Sequence, residues 1–179
     1  MKRTLLAAIP VVVLTACGQP DVVPHETGVE TFTATIVATE GNRAEGVVNF
    51  RRSGDGIVVS ATIEGLEPNN RHGFHIHQFG DCTAPDATSA GGHFNPTGER
   101  HGARHDDQRH LGDLGNLEAN DQGVAVLEYI DDRLSMDGAH SILGRGIIVH
   151  AQADDYETQP TGDAGGRIGC GVIGVAERN

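Results

Sequence analysis

From residue 29 onward apolar and polar side chains alternate in short runs, the period that sends successive side chains to opposite faces of a β-strand. Residues 29–39 set Phe32, Ala34, Ile36 and Ala38 on one side and mostly threonine on the other. Residues 46–50 repeat the pattern through Val48 and Phe50, and 57–63 through Ile57, Val59, Ala61 and Ile63. Further strands are predicted over 72–79, 114–118, 124–130, 134–136, 147–150 and 168–175. Turn chemistry separates them at Ser53-Gly54-Asp55-Gly56, Glu67-Pro68-Asn69-Asn70 and Gly123. About eight short strands without an amphipathic helix predict an all-β, antiparallel sandwich or flattened barrel. Two stretches, 80–113 and 151–166, interrupt the alternation. The first is too long and too rich in Gly, Pro and Asp for a connector, and loops of that kind in compact domains are usually functional.

Composition agrees with a turn-rich β domain: 25 Gly and no Trp in 179 residues. A formal net charge of −12 excludes nucleic acid as a partner, because phosphate binding needs a basic face. The first residues differ from the rest. Lys2 and Arg3 precede an apolar run from Leu5 to Leu14 that is too short to span a bilayer. The run ends Leu14-Thr15-Ala16-Cys17, which resembles a bacterial lipobox. That resemblance implies a lipoprotein signal peptide over 1–16, lipidation of Cys17, a lipidated tether over 17–28 and a folded domain over 29–179. The protein would then be membrane-anchored in a bacterial cell envelope, facing the periplasm or the exterior. Cleavage would remove two positive charges, taking −12 to −14, and with them the only lysine. With Cys17 acylated, Cys82 and Cys170 remain, and export to an oxidising compartment makes them a single disulfide. Closing a loop of about 88 residues is worth at most ~4–5 kcal/mol in the chain-entropy model.

The candidate chemistry lies in 73–113. His75 and His77 are two apart and share a strand face. His93, His101, His110 and Asp113 follow at intervals of 8, 9 and 3 residues, and three His with one Asp make a tetrahedral zinc set. His150, at the end of an apolar run, offers the strand pair a further nitrogen. On a regular strand His72 faces away from His75 and His77 and reads as structural. His25, His105 and His140 read as surface residues, and Asp106-Asp107 and Asp131-Asp132 as solvated faces.

At this point the sequence resembles copper/zinc superoxide dismutase. The segments that carry the resemblance are Gly73-Phe74-His75-Ile76-His77-Gln78-Phe79-Gly80-Asp81, Ser89-Ala90-Gly91-Gly92-His93-Phe94-Asn95-Pro96, His110-Leu111-Gly112-Asp113-Leu114-Gly115-Asn116, Ile148-Val149-His150 and Gly165-Gly166-Arg167-Ile168-Gly169-Cys170-Gly171-Val172-Ile173-Gly174. They fall in family order across 29–176. The resemblance implies an eight-stranded Greek-key barrel with metal-binding and electrostatic loops, one copper and one zinc per chain, and superoxide as substrate. Copper would be held by His75, His77, His93 and His150. Zinc would be held by His93, His101, His110 and Asp113, with His93 a bridging imidazolate whose bond to copper breaks and reforms. Asp154, with Asp155 as its rival, would accept hydrogen bonds from His75 and His101. Arg167 would guide the anion, and Cys82–Cys170 would tie its segment to the metal loop. The steering lysine common in the family is missing, so capture rests on the field of copper and Arg167. Monomer and homodimer both remain open. The alternative is a non-catalytic copper-binding or copper-buffering envelope protein on the same fold. A zinc hydrolase would need an open zinc position, which Asp113 fills, and a blue-copper carrier a Cys ligand.

Overall fold

The computed structural model describes residues 31–54 and 56–177. The signal peptide expected over 1–16, Cys17, the tether expected over 17–28 and His25 lie outside the described residues. The chain forms β1 (Thr31–Ala38), β2 (Glu45–Ser53), β3 (Gly56–Glu64), β4 (Arg71–His77), β5 (Asp113–Glu118), β6 (Ala125–Asp131), β7 (Gly146–His150), β8 (Arg167–Val172) and β9 (Gly174–Val175). Every strand pairing is antiparallel, in the order β5-β4-β7-β8-β1-β2-β3-β6, with β9 also on β1. The end strands β5 and β6 approach each other, so the sheet curls into a nearly closed barrel.

The alternation read from the sequence becomes the inside of that barrel. Phe32, Ala34 and Ile36 of β1, Val48 and Phe50 of β2, Ile57, Val59, Ala61 and Ile63 of β3, and Phe74 and Ile76 of β4 pack in one core. Ile148 points the other way. It packs with Ala87, Ala90 and Cys170 in a small second cluster beneath the loop that Cys82–Cys170 fastens to β8.

Two strand predictions need correction. The run 168–175 is two strands: buried Ile173 donates to the Arg145 carbonyl and accepts from Gly144, which bends the chain between β8 and β9. Residues 134–136 are not a strand. Ser135 makes only an isolated bridge to Ser141, and the spacing of Leu134 and Met136 reflects burial of a loop against the core.

A third correction concerns Asp131-Asp132. Asp131 is 3% exposed, not solvated. Both of its carboxylate oxygens accept from Arg109 Nη2, at 2.8 and 2.7 Å. Arg109 is wholly buried, and its Nη1 donates to the carbonyls of His110, Leu111 and Asp113 at 3.1, 3.2 and 3.2 Å. One guanidinium thus joins the first residue of β5 to the last of β6, across the gap where the barrel lacks a ladder. It also holds the loop that carries His110. A charge-assisted pair in which Nη2 serves both carboxylate oxygens and Nη1 three carbonyls survives burial with only Nε unpartnered; half of it does not. We expect Asp131→Ala to destabilise the protein by about 3–5 kcal/mol, because it strands a buried cation. The double variant Arg109→Leu/Asp131→Leu should lose less than the sum of the single variants. Urea denaturation of the three variants checks this, and strict additivity would contradict it.

Candidate metal centre

The site is built on β4 and completed by loops. Phe74 and Ile76 anchor β4 in the core, so His75 and His77 lie on its other face. The 80–113 loop returns along the same strand. Phe94 N–H donates to the Ile76 carbonyl at 2.8 Å, Gly112 to Phe94 at 2.9 Å, and Ile76 to Gly112 at 2.8 Å, which brings His93 against His77. His150 ends β7 opposite Arg167 of β8, at a register shift following Val149.

The sequence-predicted ligands gather into two groups that share His93. His75, His77, His93 and His150 form one, and His93, His101, His110 and Asp113 the other, all buried, with the ligand atoms of each group within 4.8 Å of one another. The outer ring nitrogens are already engaged. His77 Nδ1 donates to the Gly91 carbonyl at 2.9 Å and His150 Nδ1 to the Gly165 carbonyl at 3.2 Å. His75 Nε2 and His101 Nε2 donate to Asp154 Oδ2 and Oδ1, each at 2.8 Å. This leaves the inner nitrogens facing one another. His77 Nε2 and His150 Nε2 are 3.4 Å apart, while His75 Nδ1 and His93 Nε2 are buried without a partner. In the second group Asp113 Oδ1 lies 2.8, 3.0 and 3.3 Å from Nδ1 of His93, His101 and His110. Orphaned nitrogens converging on one point are what a cation satisfies. Four imidazoles suit Cu(II), and three imidazoles with one carboxylate suit Zn²⁺. The residues present therefore fit both metals.

Electrostatics follows the same division. Burial first, then the neighbouring imidazoles, pushes His77 and His150 well below the ordinary histidine value of 6.5 and His93 down to about 4. Burial also opposes charge on His101, but Asp113 and Asp154 outweigh it and raise this ring to about 9. The two carboxyls are held far below the usual carboxylate range: burial works against their charge, and histidine hydrogen bonds overcome it.

Asp154, not Asp155, faces the rings; Asp155 is exposed and accepts from Glu157 N–H at 2.9 Å and from the Thr158 N–H and hydroxyl at 2.8 and 2.6 Å. Three residues around the site were missed in the sequence. Asn116 accepts from Asp154 N–H at 2.8 Å and donates to its carbonyl at 2.9 Å. Gln159 does the same for His101, at 2.9 and 3.0 Å. Each amide holds one residue by both its backbone N–H and its C=O, and so fixes where that side chain starts. At Gly162, with φ +66°, any Cβ would run into Asp154 Oδ1 and His101 Nε2. Asn116 ends the family-like stretch His110–Asn116, but nothing in its spacing marks it, and Gln159 carries no signal in the sequence. His72 is 2% exposed, and its Nδ1 donates to the His150 carbonyl at 2.8 Å. His105 and His140 are exposed.

Arg167 is half-buried. Its Nη1 donates to the Ala87 carbonyl at 2.5 Å and its Nη2 to the Gly91 carbonyl at 2.6 Å. The Gly91 carbonyl is also the acceptor for His77, so the guanidinium stands beside the first donor group.

Comparison with known proteins agrees with this geometry. The sequence model of the family described as copper/zinc superoxide dismutase matches residues 44–173. A Cu-Zn superoxide dismutase of Candida albicans is 45% identical over 152 residues, which cover 80% of this chain and 98% of that protein. Cu-Zn superoxide dismutase 5 of Dictyostelium discoideum is 38% identical over 152 residues, 80% of this chain and 99% of that protein. With both donor groups in place and the match spanning the barrel, the chain belongs to the copper/zinc superoxide dismutase family, an oxidoreductase with one copper and one zinc.

Proposed function

We propose that this chain dismutes superoxide, with copper held by His75, His77, His93 and His150 and zinc by His93, His101, His110 and Asp113. The observation that carries the reading is His93, the one residue in both donor groups, buried with one ring nitrogen toward each. Copper, when bound, supplies a one-electron couple: one superoxide is oxidised to oxygen, and the next, with two protons, is reduced to hydrogen peroxide. The chain's own residues do the rest. Asp154 holds His75 and His101 in one orientation, which couples the two donor groups and fixes the tautomer of each ring. Asp113 keeps His93, His101 and His110 together and holds the loop against β5. Arg167 spends two N–H groups on carbonyls, and its remaining donors and charge serve an incoming anion.

The location is part of the proposal. The lipobox-like Leu14-Thr15-Ala16-Cys17 supports an N-terminal lipid anchor and a role in protecting a bacterial cell envelope from oxidative damage. Cys17→Ser should release the protein from the membrane fraction without changing its metal content; fractionation with immunoblotting reads this directly.

Arg167→Ala should keep both metals and lose dismutation by roughly 10–10²-fold, since it removes charge and orientation at the anion site. Metal analysis beside stopped-flow rates tests it. Copper bound with dismutation indifferent to the substitution would instead favour a copper-buffering role.

Stability of the metal-free chain should peak near pH 6.5. Below that value the depressed histidines resist protonation that the unfolded chain accepts, so stability falls from 6.5 toward the folded value of about 4 for His93. Asp113 and Asp154, with lowered pKa values, withdraw more stability below the ordinary value of 3.8. His101, raised to about 9, contributes stability that is complete below 6.5 and lost as pH climbs through 9. Melting curves of chelator-stripped protein across this range check the shape, and a flat acid limb would contradict it.

A further inference from the structure

The anion site contains an acid that the mechanism above does not use. Asp86 precedes Ala87, whose carbonyl receives Arg167 Nη1. Asp86 Oδ1 accepts from Thr88 N–H at 3.0 Å and Thr88 Oγ1 at 2.7 Å, an Asx turn that caps the Ala87–Thr88 peptide just ahead of the 3-10 turn Thr88–Ala90. Between the two, Ala87 is wholly buried in the left-handed region, φ 57°, and its carbonyl also accepts from Ala90 at 3.2 Å. This unusual backbone state is held by its neighbours, and the Asp86 cap is the nearest of them. The carboxylate itself is exposed and ionised; the Thr88 hydrogen bonds lower its pKa most, and Arg167 adds to that. In return, burial favours loss of the proton from Arg167 and Asp86 opposes it, so the two charges act on each other.

We propose that Asp86 is a positioning residue for Arg167 that both aims the guanidinium, through the capped Ala87 carbonyl, and weakens its pull on anions. The two effects have opposite signs. The cap keeps the cation in place beside the His77–Gly91 carbonyl bond, and the negative charge cancels part of the field that an incoming anion meets. In a chain without lysine after residue 2, that field is scarce, so one misplaced acid has leverage on capture. The inference rests on Arg167 serving the anion, as proposed above.

Asparagine separates the effects, because its amide oxygen keeps the Thr88 cap while the charge goes. The probe is azide binding to the copper- and zinc-loaded chain, followed by Cu(II) absorbance, with stopped-flow dismutation alongside. Asp86→Asn should bind azide about two- to threefold more tightly at ~10 mM salt, the gain shrinking at ~0.5 M as screening shortens the interaction. Asp86→Ala, which also loses the cap, should bind azide more weakly than Asp86→Asn. In an Arg167→Ala background the difference between Asp86→Asn and Asp86→Ala should vanish, because no guanidinium is left to position. Asp121→Asn, which removes the same charge at the β5–β6 turn, should change nothing. Equal azide affinity in wild type and Asp86→Asn at low salt overturns the field effect. Equal affinity in the Asn and Ala variants overturns the positioning effect, as does a difference between them that persists without Arg167. Wild-type chain that takes up no copper, or takes it up without dismuting superoxide, defeats the functional reading instead. Azide binding reports on Asp86 whether or not the loaded chain turns over.

Discussion

Both donor groups depend on one carboxylate. Asp154 gives an oxygen to His75 and the other to His101, so a strand and a loop far apart in sequence share a single buried negative charge. A charge there has a large desolvation penalty unless its lone pairs are filled. Two imidazole N–H groups and the Tyr156 backbone N–H fill them. The surroundings leave it no freedom: Asn116 holds both its backbone N–H and its C=O, and the space where another side chain would press is empty only because residue 162 is glycine.

The barrel supplies the stiffness that this arrangement requires. Coordination demands that ring nitrogens meet within a few tenths of an ångström, and loops rarely hold such tolerances alone. Here β4 and β7 deliver His75, His77 and His150 from paired strands, and the loop that brings His93 is hydrogen-bonded along β4 as though it were another strand. The disulfide secures the far end of that loop to β8, next to Arg167. Where the barrel lacks a strand pairing, Arg109 and Asp131 replace a ladder with a buried ion pair.

Much of this was legible in the chain. Period-two alternation identified the core faces of β1, β2 and β3 because one side of each strand is buried, and the same period placed His75 and His77 together. The donor residues were readable because coordination chemistry restricts residue type and spacing. What stayed hidden has no local signature. Asp131 beside Asp132 reads as a wet acidic pair until the fold brings Arg109 to it. Leu134 and Met136 have strand spacing because burial alone has a period, with or without a ladder. Asn116 and Gln159 act through backbone groups of residues 38 and 58 positions away, a relation that no sequence window contains.

The Gly91 carbonyl has two lone pairs and two strong donors, His77 and Arg167. Both donors act on one oxygen, so the His77 ring and the Arg167 guanidinium compete for the same electron density. Under the proposed assignment of His77 to copper, whatever withdraws Arg167 would strengthen the His77 N–H···O bond and make the imidazole a better donor to the metal. On that reading, anion capture and the electronic character of the metal would be coupled through one oxygen atom, and substitutions at His77 and Arg167 would not add.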